Sequence, residues 1–476
     1  MSALKRLSIR YLPFADAASE DLPLGQLLRL SLFQVSVGMA AVMLLGTLNR
    51  VMIVELQVPA FLVAMMVALP VLIAPFRALL GFKSDTYKSA IGWRRIPYLW
   101  FGTLWQFGGL AIMPAALLVL AGDVTQVRHD IPFAGEILAG LAFVMTGLGM
   151  HMTQTAGLAL AADRATDETR PRVVALLYVM LLIGMGVSAV VIGWLLRQFT
   201  PLELIQVVQG TALLTVILNV TALWKQERIR PMTKAERDEP SPSFKDAWAD
   251  YSSGGTAGRL LAVVFLGTMA FNMQDVLLEP YGGEILGLSV SSTTLLTATW
   301  AAGALVGFAL AARWLGDGIN PYRMCARGIL AGIMAFCAVI FANPMASHGL
   351  FFAGACMIGF GGGLFSIATL TSAMTMPTSG KAGKGLALGA WGAAQATAAG
   401  ISIAFGGAIR DTVNHAAMSG NLGEALASPA TGYSVVYHIE ILLLFATLIA
   451  LGPLVRTVTT TQRGEIRKIG LADLPT

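Results

Sequence analysis

The sequence predicts an all-α, polytopic membrane protein with twelve membrane-spanning helices. Of the 476 residues, 56% are hydrophobic and only 12% are charged, and the mean hydropathy is +0.70. Soluble proteins carry roughly 25% charged residues, so this composition excludes an ordinary soluble fold. Apolar stretches of about 20 residues, the length that crosses a bilayer as a helix, recur twelve times.

The twelve predicted spans follow one another closely, apart from one long central connection. No cleavable signal peptide is expected in the polar segment 1–27. The three cysteines all fall inside spans without paired spacing, so neither disulfides nor a thiolate metal site is expected. The spans lie at residues 28–50, 58–80, 97–121, 135–161, 173–195, 204–224, 259–279, 291–314, 324–343, 350–372, 387–409 and 433–455.

Basic residues are distributed unevenly between the gaps that separate the spans. The chain has 32 Lys and Arg residues, and almost all lie in the even-numbered gaps, the termini and the adjoining helix ends. By the positive-inside rule, both termini are cytoplasmic. The basic excess is therefore a topology signal, and no nucleic-acid partner is expected. The four exceptions are Arg50, Arg128, Arg197 and Arg410.

The long polar connection at 225–258 divides the spans into two sets of six. It predicts an N-terminal bundle at 28–224, a C-terminal bundle at 259–455 and a cytoplasmic tail at 456–476. Its charge, Pro, Ser and Gly content is typical of a solvated, irregular linker. Two six-helix bundles joined in this way resemble the plan of the major facilitator superfamily.

A loop motif recurs after the second and the eighth spans. The first copy contains Asp85, Arg94 and Arg95, and a degraded second copy contains Asp317 and Arg323. Asp at such a position can cap a helix start and pair with Arg across helix ends. We interpret the motif as a latch on the cytoplasmic side; the alternative is a basic loop that only sets topology.

One histidine, His151, lies well inside a predicted span. Gln154 shares its helical face, and Gly147 precedes it by one turn on that side. A neutral imidazole can ligate metals, including the magnesium of a chlorophyll, and the glycine would leave space for a flat ring. The competing interpretation is a hydrogen bond between helices.

The remaining candidates do not form a catalytic pattern. His438 is a further candidate ligand, although anchoring at the membrane interface beside Tyr433 and Tyr437 competes with that role. Glu440, two residues on, falls on a different helical face. No catalytic motif, phosphate-binding loop or hydrolytic metal motif is present, so no catalytic residues and no metal centre are expected, and the protein is not predicted to be an enzyme.

A polar stripe marks the end of the seventh predicted span, in FNMQDVLLEPYGGEILGLS (271–289). Asn272, Asp275 and Glu279 are spaced three and four residues apart, which places them on one helical face. Pro280 and the glycines after it are expected to end the helix. Ionisable residues at membrane depth often have a function; the alternatives are a salt-bridge set at the outer rim or a solvated helix end.

Three segments carry a family resemblance. They are QDVLLEPYGGEILGLSVSSTTLLTATW (274–300), ADRATDETRPRVVALLYVMLL (162–182) and LGAWGAAQATAAGI (388–401). These segments resemble the PucC/LhaA group of major-facilitator-like proteins. The resemblance extends over all twelve spans, and 274–300 is its most specific part.

The resemblance implies an assembly factor for light-harvesting antenna complexes in the inner (intracytoplasmic) membrane of a photosynthetic bacterium. It implies transient binding of bacteriochlorophyll a, with a carotenoid as a further candidate ligand. The implied partners are the light-harvesting α and β polypeptides, the bacteriochlorophyll synthase, the membrane insertion machinery and membrane lipid. It makes His151, Asp275 and Glu279 candidate pigment contacts, although it supplies no pigment-ligand motif.

Two classes of function remain open at this point. The first is a pigment-binding assembly factor, of which a scaffold without pigment is a variant. The second is a proton-coupled secondary transporter of a small solute, using Asp275 or Glu279. The acids lie near the outer edge instead of the midplane, which favours the first.

Overall fold

The computed structural model describes most of the apolar chain and parts of its connections. The described residues are 17–19, 22–48, 51–52, 56, 58, 60–121, 133–196, 200–227, 229–234, 238, 243–253, 255–288, 290–376 and 383–464. Within these ranges the regular structure is helical, without a β-strand. Arg50, Arg128 and Arg197 of the topology prediction lie outside the described residues.

Fifteen α-helices can be defined in the described part of the chain. They are α1 Leu24–Ala41, α2 Ala60–Leu72, α3 Arg77–Thr86, α4 Ile96–Ala121, α5 Ala134–Arg164, α6 Arg170–Leu195, α7 Pro201–Leu223, α8 Phe244–Ser253, α9 Thr256–Asn272, α10 Leu278–Glu284, α11 Val290–Gly316, α12 Pro321–Ala342, α13 His348–Thr375, α14 Lys384–Met418 and α15 Ala430–Gly464.

The prediction of an all-α, multi-pass membrane protein is confirmed. Among the described residues, eleven helical segments are long and apolar enough to cross a membrane. The second predicted span, 58–80, is not one continuous helix. It consists of α2 and α3, joined by a 3₁₀ turn at Ala74–Phe76 with a proline in its first turn. Pro75 therefore stands where the α-helical hydrogen bonds are already interrupted.

Local sequence explains several helix starts. Thr200 accepts a hydrogen bond from the N–H of Glu203 at 3.1 Å, and Pro201 occupies the first position of α7. Asn320 accepts a hydrogen bond from the N–H of Tyr322 at 2.8 Å, and Pro321 occupies the first position of α12. Thr and Asn side chains accept hydrogen bonds from the unpaired N–H groups of a first helical turn, and proline has no N–H that needs a partner.

Two compact units can be distinguished by their internal contacts. Unit 1 comprises Met1–Ser253 and Ala373–Gly400, and unit 2 comprises Gly254–Ser372 and Ile401–Thr476. The sequence predicts that the N-terminal bundle ends at 224 and that the C-terminal bundle begins at 259. The units defined by internal contacts differ from these bundles, because the first part of α14 belongs to unit 1 and the rest of α14 belongs to unit 2.

Unit 1 is built around helices α1, α4, α5 and α7. The helix α1 packs on α6 and α7, while α4 runs beside both α5 and α7. Their core contains Met43, Leu110, Phe143 and Val208, all fully buried. Beyond Ala41, the first span continues as a π-helix over Val42–Leu48.

Unit 2 is centred on α15, which packs along both α9 and α12. Aromatic rings fill this region: Tyr281 lies between Tyr433 and Tyr437, with ring centroids 5.4 and 5.5 Å away. The helix α15 extends to Gly464, so the predicted tail at 456–476 begins inside a helix. Residues 465–476 lie outside the described part of the chain.

The central connection is not wholly irregular, contrary to the interpretation of its composition. It contains α8, whose Phe244 ring lies 5.4 Å from that of Phe82 in an edge-on arrangement. Trp248 stacks on Phe244 at 6.0 Å. Three aromatic residues within eight positions give this short helix an apolar face, which explains why it folds onto unit 1.

Small residues allow α11 and α13 to approach closely in unit 2. A Cβ atom on Gly303 would lie 1.9 Å from the carbonyl oxygen of Cys356, and one on Gly359 would lie 2.0 Å from that of Trp300. Helices in a bilayer have no hydrophobic driving force for association, so close packing between backbones of this kind stabilises their contact instead.

We therefore expect Gly359→Ala to destabilise the protein by about 1–3 kcal/mol, the usual cost of overpacking. Gly407→Ala in α14 is the matched control, because a Cβ there would meet nothing within 4 Å and alanine favours a helix. Chemical unfolding of both variants in mild detergent measures the difference. Equal stability of Gly359→Ala and wild type would contradict the packing argument.

Candidate functional site

The first candidate site is a charged cluster in unit 1, around Asp85. The two oxygens of its carboxylate accept the N–H groups of Gly385 and Leu386 at 2.9 and 2.8 Å, which caps α14. The same carboxylate forms a salt bridge with Arg95. Arg95 also donates to the hydroxyl of Ser84 at 2.6 Å.

Arg95 joins this cap to the end of α5. Its Nε donates to Asp163 at 3.1 Å, and Nζ of Lys384 lies 3.9 Å from the same carboxylate. The side chains of Arg95 and Asp85 are only 5% and 10% exposed. Burial lowers the pKa of the Arg95 guanidinium, but Asp85 and Asp163 outweigh it and raise the pKa above its ordinary value. The cation is therefore permanent, and its two carboxylates make its burial tolerable.

The other predicted latch residues are Arg94, Asp317 and Arg323, and their contacts differ from those of Asp85 and Arg95. The N–H groups of Arg94, Arg95 and Ile96 all donate to Glu227, at 3.1 to 3.4 Å, so Arg94 contributes its backbone and Glu227 caps α4. In the described part of unit 2, Asp317 and Arg323 form no comparable ion pair. The degraded second copy of the motif thus lacks the geometry of the first.

His151 is buried, at 7% exposure, and its ring is engaged. Its Nε2 lies 3.0 Å from the carbonyl oxygen of Pro70. A Cβ on Gly147 would lie 2.5 Å from the Cβ of Pro70. The space expected beside the histidine is therefore filled by α2, which corrects that part of the sequence argument. Gln154 donates to Gln34 at 3.4 Å, a contact between helices.

A buried cation near His151 was missed by the sequence reasoning. Arg77, at the start of α3, is 2% exposed. Its Nε donates to Thr155 at 3.1 Å and its Nη1 to the carbonyl of Gly392 at 3.3 Å. Its Nη2 has no hydrogen-bond partner. The only sequence signal was a lone Arg inside an apolar stretch.

The predicted stripe in unit 2 is interrupted. The helix α9 ends at Asn272, and a 3₁₀ turn follows at Met273–Val276. Asp275 accepts from the side chain of Gln274, and Glu279, which lies beyond the turn in α10, accepts from Thr297. The three polar residues therefore do not lie on one continuous helical face.

Pro280 does not end the helix, which corrects a second expectation. It lies within α10, which continues through both glycines to Glu284. Proline in a first helical turn is tolerated, because its missing N–H would have had no helical partner there. The interruption lies one turn earlier, in residues that contain neither Gly nor Pro.

Two acidic residues of unit 2 have roles that the sequence did not indicate. Glu284 forms a salt bridge with Arg410 and accepts from the hydroxyl of Tyr433 at 2.7 Å. Glu440 of α15 is fully buried, and neither carboxylate oxygen has a hydrogen-bond partner. By contrast, His438 is exposed, with Nδ1 2.7 Å from the carbonyl of Ser434.

Unit 1 carries an aromatic cleft of about 490 Å³ at the start of α4 and the end of α7. The indole N–H of Trp93 is buried there without a partner. Trp100 and Trp224 are exposed at 42% and 60%, so the cleft opens at the surface. Its other aromatic lining residues are Tyr87 and Phe101.

A second cleft, which we name the outer cleft, has a volume of about 430 Å³ and lies between α1, α6 and α7. Its walls are mainly apolar, and its polar members are Ser188, Glu203, Gln206 and Thr211. One carboxylate oxygen of Glu203 is buried without a hydrogen-bond partner. Among the described residues, no group of three or more His, Cys, Asp or Glu side chains could hold a metal ion.

The helical architecture is that of a multi-pass membrane protein with the major-facilitator fold. A bacterial homologue of the iron transporter ferroportin aligns with a TM-score of 0.69 over 90% of this chain and 98% of that chain, at 14% identity. The major facilitator superfamily transporter FucP aligns with a TM-score of 0.61 over 93% and 99%, also at 14% identity. At that identity the likeness concerns the fold alone.

The chain belongs to the PUCC protein family, whose sequence profile matches residues 47–459. It is 63% identical to the "Uncharacterized protein in puhA-bchM intergenic region" of Rhodobacter capsulatus, over 99% of this chain and 98% of that one. It is 51% identical to "Protein PucC" of Cereibacter sphaeroides, over 97% and 98%. A more distant relative, at 28% over 90% and 95%, is the "Bacteriochlorophyll synthase 44.5 kDa chain" of Rhodobacter capsulatus. The family is one of light-harvesting complex assembly or expression.

We expect Asp85→Asn to lower the free energy of unfolding by about 3–5 kcal/mol, because Arg95 would lose a buried partner and α14 its charged cap. Asp167→Asn is the matched control. The Asp167 carboxylate also pairs with an arginine but is 92% exposed, so its loss should cost less than about 1 kcal/mol. Chemical unfolding in detergent compares the two; equal effects would contradict the structural importance of the cluster.

Proposed function

We propose that the protein is an assembly factor for light-harvesting antenna complexes that binds bacteriochlorophyll a and delivers it to the α and β polypeptides as they insert. Binding is transient, with one or a few pigments held at the surface of the helical bundle. A carotenoid is a second candidate ligand. Membership of the PUCC family supports the assembly role.

The observation that carries pigment binding is the aromatic cleft of unit 1. Its volume of about 490 Å³ is in the range of small-molecule sites, about 300–1,000 Å³. Flat aromatic side chains suit a flat macrocycle, which stacks on their faces. The unpartnered N–H of Trp93 supplies a donor for a pigment carbonyl, and a buried donor without a partner gains most from such a ligand.

Magnesium in a bacteriochlorophyll also takes an axial ligand, for which nitrogen and oxygen donors are suitable. His151 is the predicted ligand, and its engagement with Pro70 means that it would have to exchange that contact for the metal. Asn272, Asp275, Glu279, Gln154 and His438 remain further candidates. The outer cleft offers another, the unpartnered oxygen of Glu203.

The proposed location and partners follow from the distribution of charge and from the relatives of the chain. The protein lies in the bacterial inner (intracytoplasmic) membrane with both termini cytoplasmic, as the distribution of Lys and Arg predicts. The bacteriochlorophyll synthase and the membrane insertion machinery are its proposed partners, and it performs no catalysis itself. The name of one distant relative, a bacteriochlorophyll synthase chain, is consistent with a link to pigment synthesis.

A proton-coupled transporter is the second candidate function. The observation that favours it is the broken seventh span with Asp275 beside the break, since discontinuous spans form the ion and substrate sites of many transporters. Uptake of a solute that depends on a proton gradient, without any effect on antenna levels, would support this candidate.

The aromatic cleft generates a direct prediction. The double variant Trp100→Leu with Trp224→Leu should retain about tenfold less bacteriochlorophyll after purification in mild detergent, because stacking on two rings contributes about 1–3 kcal/mol. Near-infrared absorption per mole of protein measures the pigment. In cells that lack the native gene, the same variant should accumulate less antenna.

Trp194→Leu is the matched control, since Trp194 is 64% exposed in unit 1 but does not line the aromatic cleft. Trp93→Phe removes the N–H but keeps a smaller aromatic ring, and it should reduce pigment content less than the double variant. Unchanged pigment in the double variant, with loss in Glu203→Gln, would place the pigment in the outer cleft and contradict this assignment. Absence of pigment from wild-type protein would contradict pigment delivery altogether.

His151→Phe separates ligation from packing. If His151 ligates magnesium, the variant should lose most of the pigment while still inserting into the membrane. Its pigment content and its thermal unfolding should be measured together. Unchanged pigment with reduced stability would assign His151 to the contact with Pro70 only.

A further inference from the structure

The break in the seventh span lies against the last helix of the chain. The helix α9 ends at Asn272, and the turn Met273–Val276 separates it from α10. The turn is held closely, because a Cβ on Gly406 would lie 2.6 Å from the carbonyl oxygen of Met273. Turns of this kind within a span release backbone groups from helical hydrogen bonds and tend to lie where a membrane protein has a polar site.

Glu440 lies in α15, the helix that meets this turn, and is 0% exposed. Among the described residues neither of its carboxylate oxygens has a hydrogen-bond partner, although the turn that contains Gln274 packs against α15. An ionised carboxylate without partners in such surroundings would cost many kcal/mol. The structure therefore requires a neutral acid or a ligand at this position.

Asp275 lies in the turn that packs against α15, the helix of Glu440. Its carboxylate accepts from the side chain of Gln274, and a negative charge on the turn would disfavour ionisation of Glu440. Asp275 is exposed at the surface of the helical bundle. Two carboxylates at close range in low dielectric do not both ionise readily, and one of them retains a proton.

Among the described residues, the other elements around Glu440 provide no neutralising cation. Arg410 of α14 is engaged by Glu284, Asp411 and Tyr433. On α15 itself, the hydroxyl of Tyr437 is buried without a partner.

In the described parts of α9, α10 and α12, no positive charge lies near Glu440 either. Tyr281 of α10 packs on Tyr437 at 5.5 Å. The helix α12 meets the same ring through Phe336, at 6.3 Å. The arginines of α9 and α12 lie in the first two turns of those helices, away from the break.

We propose that Glu440 and Asp275 form a proton-binding pair in which Glu440 carries the proton, and that loss of this proton moves the turn Met273–Val276 away from α15. Deprotonation leaves one negative carboxylate on the turn and one on α15, and their repulsion acts across the contact between the turn and α15. The proton passes between Glu440 and water by way of the exposed Asp275. This site does not depend on pigment binding.

A metal ion fits this site less well than a proton. Calcium and magnesium take about six or more oxygen ligands, whereas the described residues contain no group of three acidic or other metal-binding side chains. A proton needs one carboxylate oxygen and no additional volume. The two unpartnered oxygens of Glu440 meet that requirement.

Labelling with dicyclohexylcarbodiimide tests the proposal, because this reagent adds to protonated carboxyl groups in apolar surroundings. The full-length protein in nanodiscs is labelled from about pH 5 to about pH 10, and the modified residues are mapped by mass spectrometry. We expect Glu440 to be labelled at low pH and labelling to be lost as the pH rises. In Asp275→Asn, the midpoint of this loss should move about one to two pH units lower, because the repelling charge is gone.

Glu440→Gln should abolish this label, whereas Glu424→Gln should leave it unchanged, since Glu424 lies exposed outside the spans. The wild-type profile and the Asp275→Asn shift do not require the Glu440 variant to fold. Three results would each overturn the proposal: no label on Glu440 at any pH, an unchanged midpoint in Asp275→Asn, or protection of Glu440 by sodium or magnesium ions at constant pH.

Discussion

A charged side chain that is buried in an apolar helical bundle needs partners, and the structure depends on meeting this constraint. The partners of Arg95 are two carboxylates and a hydroxyl. One of these carboxylates, Asp85, in turn accepts N–H groups at the start of α14. Because Asp85 also caps α14, the same ion pair fixes where that helix begins. Without these partners the buried guanidinium would be among the most destabilising groups in unit 1.

Arg77 and Glu440 meet the same constraint less completely, in opposite ways. Arg77 keeps its charge and shares it with a hydroxyl and a carbonyl, leaving one nitrogen unpartnered. Glu440 has no partner for either oxygen and can discard its charge by binding a proton, an option that a guanidinium lacks. A buried acid is therefore a more natural place for a switch than a buried arginine.

The spans and the Asp85–Arg95 pair could be predicted because they depend on local sequence. Bilayer thickness sets the length of apolar runs, and the pair lies within one short loop motif. The partners Asp163 and Lys384 could not be predicted, because they come from distant helices. Likewise, the space beside Gly147 is decided by Pro70 of another helix, which no local pattern around His151 reveals. Glu440 is one acid in an apolar helix, and only tertiary packing distinguishes a buried acid from one at the rim.

The interruptions of the first and seventh spans indicate how the two halves of the chain are specialised. These spans occupy corresponding positions in the repeat, and each leaves α geometry after a similar length, 18 residues in α1 and 17 in α9. The residues that follow are VMLLGTL in the first span and MQDV in the seventh, and their chemistry differs. The shared position of the interruption is therefore a feature of the repeated architecture and is not set by either local sequence.

Interruptions at matching positions of two repeats are a recognised sign of a binding region. In the first half the interrupted segment is apolar and adds Met43 and Leu44 to a hydrophobic core, whereas in the second half it places Asp275 in a turn that packs against the helix of Glu440. The same architectural feature has thus been used for packing in one half and for acid chemistry in the other, which fits a protein whose apolar clefts lie in unit 1 and whose proposed proton site lies in unit 2.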